Sequence, residues 1–287
     1  MTEALTRLPA DGLTTMGGRI VHVVTQPGAG PPVVFLGGCG VPSYEWDFVA
    51  DLLPDLALVR LDRPGLMGSP WPEELPRLAA EVDTLEALLE TVGAAIVVAH
   101  SMAGFHAEAV VRQRPDLVLG LVLVDGSVEM TPRQPRSRRR WLSLARLVRR
   151  AMVVPLLRLP ASFLQRLLVV AQSHRRLSEP VSPLVRRTFR DPETIASVLA
   201  EQAAYADQAW DLARLRENST WPEISTIVLT AAAVRGGRWI AKQARLATLL
   251  NARQVVVQDS HHLIMLDRPD AVAQAVRALR NMEADHD

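Results

Sequence analysis

Val97-Val98-Ala99-His100-Ser101-Met102-Ala103-Gly104 decides how the rest of this 287-residue chain is read. Ala94 to Ala99 is an uncharged run of strand length, the pattern of a strand buried on both faces. Met102 to Gln113 has helical character and stops before Pro115. Ser101 therefore stands at a sharp strand-to-helix turn, with its hydroxyl carried above the edge of a sheet. Such a turn needs small residues two positions either side of the serine, and Ala99 and Ala103 fill those positions. A helix that begins just after the serine offers unpaired N–H groups and the positive end of its dipole to developing negative charge. The Met102 N–H is the natural donor to such an oxyanion. A serine that only caps a helix would look the same over so short a span.

Outward from this turn the same beat repeats. Arg19–Val24 reads as a strand after Gly17-Gly18, Pro27–Pro32 as a turn-rich connector, and Pro32–Leu36 as a strand running into Gly37-Gly38-Cys39-Gly40. Trp46–Leu53 reads as helix, Leu56–Leu61 as strand, Glu73–Thr91 as helix and Leu119–Val124 as strand. After a break, strand Ile224–Thr230, helix Trp239–Leu250, strand Gln254–Gln258 and helix Pro269–Met282 follow. Alternating strands and helices predict an α/β fold with a mainly parallel central sheet flanked by helices. Ser127–Trp221 lacks a strand pattern and reads as a helical insertion over the carboxyl ends of the strands, where open α/β sheets bind ligands. The expected organisation is a core of residues 1–126 and 222–287 with an Arg-rich helical lid of residues 127–221.

Composition bounds the function. Apolar residues make up 48% of the chain and charged residues 22%, enough apolar matter for a full core. Cys39 is the only cysteine, which excludes an intrachain disulfide and a cysteine-rich zinc site and suits a reducing cytoplasm. Residues 1–12 hold no apolar signal-like run, and Ala151–Val170 is interrupted by Pro155, Arg158, Pro160 and Arg166, so a membrane span is not expected. The net charge is +1, yet Met130–Ser178 carries 12 Arg and no Asp, Glu or Lys. That basic segment is read first as the solvated face of a lid whose apolar face shields the site. Docking to an anionic membrane surface or to an acidic carrier protein are the alternatives. Nucleic acid is not expected, because no base-stacking platform accompanies the arginines.

Four segments, in order, resemble the α/β-hydrolase superfamily. Leu36-Gly37-Gly38-Cys39-Gly40 is similar to its L-H-G-x-G loop, with Gly37 in place of the usual histidine. Leu61-Asp62-Arg63-Pro64-Gly65-Leu66-Met67-Gly68-Ser69 is similar to its D-x-x-G-x-G-x-S segment. The Ser101 turn resembles its G-x-S-x-G elbow in a form with alanine at both glycine positions. The loop Asp259-Ser260-His261-His262 before Asp267-Arg268-Pro269 is the fourth. The resemblance covers about Ile20–Asp125 and Ile224–Leu279. It implies Ser101 as nucleophile and His262, seven residues before Pro269, as its base. It also implies a second oxyanion donor beside Met102, for which the Cys39 N–H is the choice and Gly40 the alternative. Alkylation of the Cys39 thiol would then block the pocket. Gly38, Gly40, His100 and His261 are expected around the substrate.

The family usually supplies the third member, a carboxylate, just after the strand that follows the insertion. Leu229-Thr230-Ala231-Ala232-Ala233-Val234-Arg235 has none there; Val234 stands about where it is expected. Some relatives carry the acid one strand earlier, which points to Asp125, with Glu129 as a lesser substitute. A Ser–His dyad is the remaining alternative.

The reaction expected from the resemblance is hydrolysis of a carboxylic ester or related acyl bond of a largely apolar small molecule, with no metal and no organic cofactor. C–C bond hydrolysis, thioester release, lyase-type proton transfer and a catalytically weak binding protein are the alternatives. Trp210, Trp221 and Trp239 are read as core or pocket residues.

Overall fold

A computed structural model describes residues 3–134, 138–154, 172–173, 188, 190–233 and 236–284. Among these, eight strands form one sheet: β1 Asp11–Met16, β2 Arg19–Gln26, β3 Ala29–Leu36, β4 Leu56–Asp62, β5 Ala95–His100, β6 Val118–Val124, β7 Thr226–Ala231 and β8 Arg253–Val257. Their spatial order is β1-β2-β4-β3-β5-β6-β7-β8. β1, β2 and β4 pair antiparallel, and every pairing from β4 onward is parallel. The helices are α1 Asp47–Ala50, α2 Leu78–Val92, α3 Ala103–Gln113, α4 Arg139–Ala151, α5 Pro192–Glu217, α6 Gly237–Leu249, α7 Ile264–Asp267 and α8 Pro269–Ala284.

The strands β3 to β7 are apolar on both faces because helices cover both. Val34, Val97, Leu121 and Val228 pack with α2 and α3 on one side. Phe35, Ile96, Val98 and Val122 pack with α8 on the other. The expected α/β architecture is therefore the one observed, with four local differences. β1 escaped the reading because Asp-Gly-Leu-Thr-Thr-Met is mostly polar and lies on an exposed edge. β3 begins at Ala29, inside the expected connector, because Ala29 pairs with Leu56 and the strand shifts register before Val33. α2 begins only at Leu78, because Glu73 holds a left-handed φ of 57° that a right-handed helix cannot contain, and Pro76 follows. The helix expected at Trp46–Leu53 is a 3-10 turn over Ser43–Trp46 followed by the single turn α1.

Between β6 and β7 the described residues form α4 and α5. α5 lies against the loops that leave β3 and β4. An added Cβ at Gly40 would stand 2.6 Å from Val198, and one at Gly65 would stand 2.3 Å from Ser197. α4 packs on α5 through Ala145 and Leu142, which meet Ala196 and Ala200. Two of its arginines reach the body, Arg149 to Glu73 and Glu193 and Arg146 to the Glu73 carbonyl, while Arg139, Arg140 and Arg150 stay exposed. Trp141, Leu144 and Leu147 are exposed, and only Ala145 is buried. Most of Ala151–Val170, and Val234 with Arg235, lie outside the described residues. No helix among the described residues is long and apolar enough to cross a membrane.

Candidate active site

Parallel pairing brings two of the named residues together. β5 and β6 align with His100 opposite Val124, so the next residues on each strand, Ser101 and Asp125, leave the sheet side by side at its carboxyl edge. Both take left-handed backbone, with φ 52° at Ser101 and 45° at Asp125. That conformation is costly for residues other than glycine and persists only where surrounding bonds hold it. Here they do. The Ser101 N–H donates to the Val124 carbonyl, and the Ser101 carbonyl accepts from Gly104 and Ser127. The Asp125 N–H donates to the Leu229 carbonyl. Ala99 and Ala103, on either side of the turn, are completely buried, which leaves no space for larger side chains.

The loop after β8 returns across the end of β7 and delivers His262. His262 Nε2 lies 2.9 Å from Ser101 Oγ, and His262 Nδ1 lies 2.6 Å from Asp125 Oδ2. Asp125 is fully buried. Its second oxygen, Oδ1, accepts from the Ala231 N–H at 3.0 Å and from the Trp239 indole N–H at 2.7 Å. A buried carboxylate with three donors is a satisfied one. A carboxylate accepting at Nδ1 fixes the ring as the Nδ1–H tautomer, which leaves the Nε2 lone pair for the serine hydroxyl. The arrangement is able to move a proton from Ser101 through His262 while Asp125 holds the imidazolium. Glu129 stands elsewhere, beside Lys242 and Tyr205.

The loop after β3 covers the serine. An added Cβ at Gly38 would come within 2.7 Å of Ser101 Cβ and 2.8 Å of His100 Nδ1. At Gly37 it would meet the Val41 carbonyl oxygen at 2.0 Å, so this loop has no space for the histidine of the L-H-G-x-G pattern. The Cys39 and Met102 N–H groups donate to no acceptor among the described residues, whereas the Gly40 N–H donates to Glu201 Oε2 at 2.8 Å. Gly40 is therefore occupied and drops out as an oxyanion donor. The Cys39 thiol turns toward the Val198 carbonyl, at 3.7 Å. Burial, with the Glu201 charge nearby, pushes its pKa well up.

The two further histidines are structurally engaged. His100 is buried beneath the site, its Nε2–H donating to the His262 carbonyl at 3.1 Å and its ring 4.6 Å from the His262 ring. Burial, and then the proximity of His262, hold its pKa well below the usual imidazole value, so it stays neutral. Through that bond it supports the loop that carries His262. The His261 N–H donates to Asp267 Oδ2 at 2.8 Å, and Ser173 also donates to Asp267.

Trp239, read from sequence only as a core or pocket residue, proves to be a contact of Asp125. It lies on α6, and nothing in its spacing ties it to Asp125. Of the other two tryptophans, Trp221 stacks under the Arg112 guanidinium. No group of three or more metal-ligating side chains occurs among the described residues.

A family profile described as the alpha/beta hydrolase family matches residues 33–275. The chain belongs to the alpha/beta hydrolase family. Esterase Rv0045c of Mycobacterium tuberculosis is 40% identical over 103 residues, a match spanning about a third of either chain, 34% of each. A thermophilic esterase from Thermogutta terrifontis shares the fold with a TM-score of 0.70 at 22% identity, covering 95% of this chain and 97% of that one. A haloalkane dehalogenase variant from Bradyrhizobium elkanii does so with a TM-score of 0.68 at 18% identity, covering 96% and 99%. Proteins of this fold break different bonds, so membership of the alpha/beta hydrolase family does not by itself name the reaction.

Proposed function

We propose that this alpha/beta hydrolase cleaves a carboxylic ester or related acyl bond of a largely apolar small molecule through an acyl-enzyme. The carrying observation is the unbroken line Ser101 Oγ, His262 Nε2, His262 Nδ1, Asp125 Oδ2, with separations of 2.9 and 2.6 Å. Ser101 Oγ attacks the acyl carbonyl as His262 Nε2 takes its proton. The carbonyl oxygen gathers negative charge between the Met102 and Cys39 N–H groups. His262 then gives the proton to the departing alcohol oxygen as the C–O bond breaks, leaving Ser101 acylated. Water repeats the sequence in reverse order and releases the acid. Asp125 stabilises the imidazolium throughout and does not itself take the proton. No cofactor enters these steps.

An acyl substrate is favoured because a serine hydroxyl occupies the elbow and because the partial relative is named an esterase. The apolar content of Ala151–Val170 supports an apolar substrate and a lid role for residues 127–221. The proposal places the protein in the reducing cytoplasm on the strength of its lone cysteine. The exposed Trp141, Leu144 and Leu147 beside Arg139, Arg140 and Arg150 favour an anionic membrane surface over a carrier protein as the partner of α4. Fluorophosphonate labelling tests the central claim. Wild type becomes labelled and Ser101→Ala does not. A wild type that stays unlabelled while its fold is intact removes the acyl-transfer reading.

A further inference from the structure

The D-x-x-G-like segment contributes a residue that the chemistry above leaves unused. Arg63 leaves β4 buried, and each of its three guanidinium nitrogens donates a hydrogen bond. Nη1 donates to the Gly37 carbonyl, Nη2 to the Gly38 carbonyl at 2.6 Å, and Nε to Glu201 Oε1 at 2.8 Å. Glu201, on α5, uses its other oxygen to accept the Gly40 N–H at 2.8 Å. One ion pair therefore grips three of the four residues of the Gly37–Gly40 loop, and grips them only by backbone.

The consequence follows from peptide geometry. A trans peptide points its C=O and N–H in opposite directions, and no described peptide here is cis. Holding the Gly37 carbonyl against Arg63 turns the Gly38 N–H away from Arg63. Holding the Gly38 carbonyl there turns the Cys39 N–H away likewise. The Gly40 N–H is drawn back to Glu201. We infer that Arg63 and Glu201 are positioning residues that aim the Cys39 N–H at the oxyanion, so that a helix of the inserted segment and the donor loop act as one unit. The inference rests on the acyl-transfer reading of Ser101.

Isolated, a buried guanidinium would be too costly to keep. Burial alone lowers the Arg63 pKa, but the charge and hydrogen bond of Glu201, with Glu81 beyond, outweigh it and hold Arg63 cationic. Its planar fork matters as much as its charge. A lysine is a single point charge on a flexible stem and cannot span two carbonyls and a carboxylate at once. The hydrogen bonds of Arg63 and Glu201 go to each other and to the loop backbone, and none goes to Ser101 or His262. Loss of aim should appear in the transition state alone, where the oxyanion exists, and leave ground-state binding in place.

The experiment uses the whole chain, p-nitrophenyl butyrate as ester and an alkyl trifluoromethyl ketone as analogue of the tetrahedral adduct. Arg63→Lys is expected to lower kcat by roughly 10- to 100-fold. KM should stay within about twofold, and the ketone should bind more weakly by the same factor as kcat falls. Glu201→Gln keeps the shape and an acceptor for Gly40 but removes the charge, and should lower kcat and ketone affinity together by about fivefold. A folded Arg63→Lys with wild-type kcat and ketone affinity overturns the assignment. So does a loss confined to KM, or a fall in kcat with ketone affinity retained. Should Arg63→Lys fail to fold by near-UV circular dichroism, Glu201→Gln is judged by the same criteria. Fluorophosphonate labelling of the wild type keeps the two failures apart. A labelled wild type with an indifferent Arg63→Lys loses only this assignment, whereas an unlabelled wild type loses the acyl-transfer reading and this assignment with it.

Discussion

The Trp239 indole N–H donates to Asp125 Oδ1 at 2.7 Å, on the side of the carboxylate away from His262. The donation spans 114 residues and joins α6 to the end of β6. It pulls one lone pair of Asp125 away from the imidazole and leaves Oδ2 to face Nδ1. Trp239→Phe keeps the ring and deletes the donor. Loss of one hydrogen bond worth about 1 kcal/mol to the oriented carboxylate should lower kcat about fivefold with little change in KM. Steady-state kinetics on the ester check it. Asp125→Asn, which supplies the wrong hydrogen-bonding face to Nδ1, should cost on the order of 10⁴ in kcat. A value near wild type would remove Asp125 from the triad.

Ser101 holds a φ of 52°, a region that an L-residue enters at a cost. Glycine enters it freely. Ser101→Gly should therefore be inactive yet more stable, by about 1 kcal/mol, as strained backbone is relieved. Urea unfolding monitored by tryptophan fluorescence measures the difference. An unfolding midpoint below that of the wild type would contradict strain at the elbow.

Placing at position 37 the histidine of the L-H-G-x-G pattern should damage this protein. The Val41 carbonyl oxygen sits 2.0 Å from where a Cβ would go. Backbone cannot yield as a flexible side chain does, so Gly37→Ala and Gly37→His should each lose about 3 kcal/mol or more of stability. Thermal melts of the two variants report it, with Gly37→Ala already carrying most of the loss.

Cys39 contributes its N–H to the proposed oxyanion hole, and its thiol is directed toward α5. Burial keeps that thiol protonated at neutral pH, and the thiolate is the form that reacts. Maleimide should modify Cys39 much more slowly than a small free thiol at pH 7, as followed by mass spectrometry. Cys39→Ala should retain kcat within about threefold, since the backbone donor survives and only a small, partly buried side chain is trimmed.

His22 lies between two carboxylates, Asp62 at 2.9 Å from Nδ1 and Asp11 at 2.8 Å from Nε2. Burial by itself would lower its pKa, but the bonds and charges of Asp62 and Asp11 outweigh it and raise the value above 6.5. A raised folded-state pKa means the folded protein holds the proton more tightly than the unfolded chain does. The stabilisation is then fully present below pH 6.5 and is lost as pH rises through the higher folded value. Denaturant unfolding at pH 5.5 and 8.5 should show that loss in the wild type and a smaller pH dependence in His22→Gln. Because Asp62 also accepts the Ser43 N–H at 2.6 Å, the same pair anchors the chain that follows the donor loop.

Readability from sequence followed the length scale of the signal. Strands such as Val33–Leu36 and Ala95–Ala99 are apolar at every position because both faces are covered, and that pattern is local. β1 was illegible because an exposed edge strand of Asp-Gly-Leu-Thr-Thr-Met is held by its pairing with β2 rather than by its own apolar content. The pairing of Arg149 with the body was illegible for a similar reason. It depends on Glu73 and Glu193, which lie more than 40 residues from the arginine they meet.

Sequence alone determined the alternation of buried strands and helices, the elbow at Ser101 and the histidine loop before Pro269. Each is a matter of neighbouring residues and their backbone preferences. Tertiary structure alone decided which carboxylate stands against His262, that Trp239 holds its other oxygen, that Gly40 is spoken for, and that Arg63 grips two carbonyls of the loop over the serine. Those are meetings of side chains from different strands. Their distances follow from how the sheet is ordered and registered, which no stretch of chain records by itself.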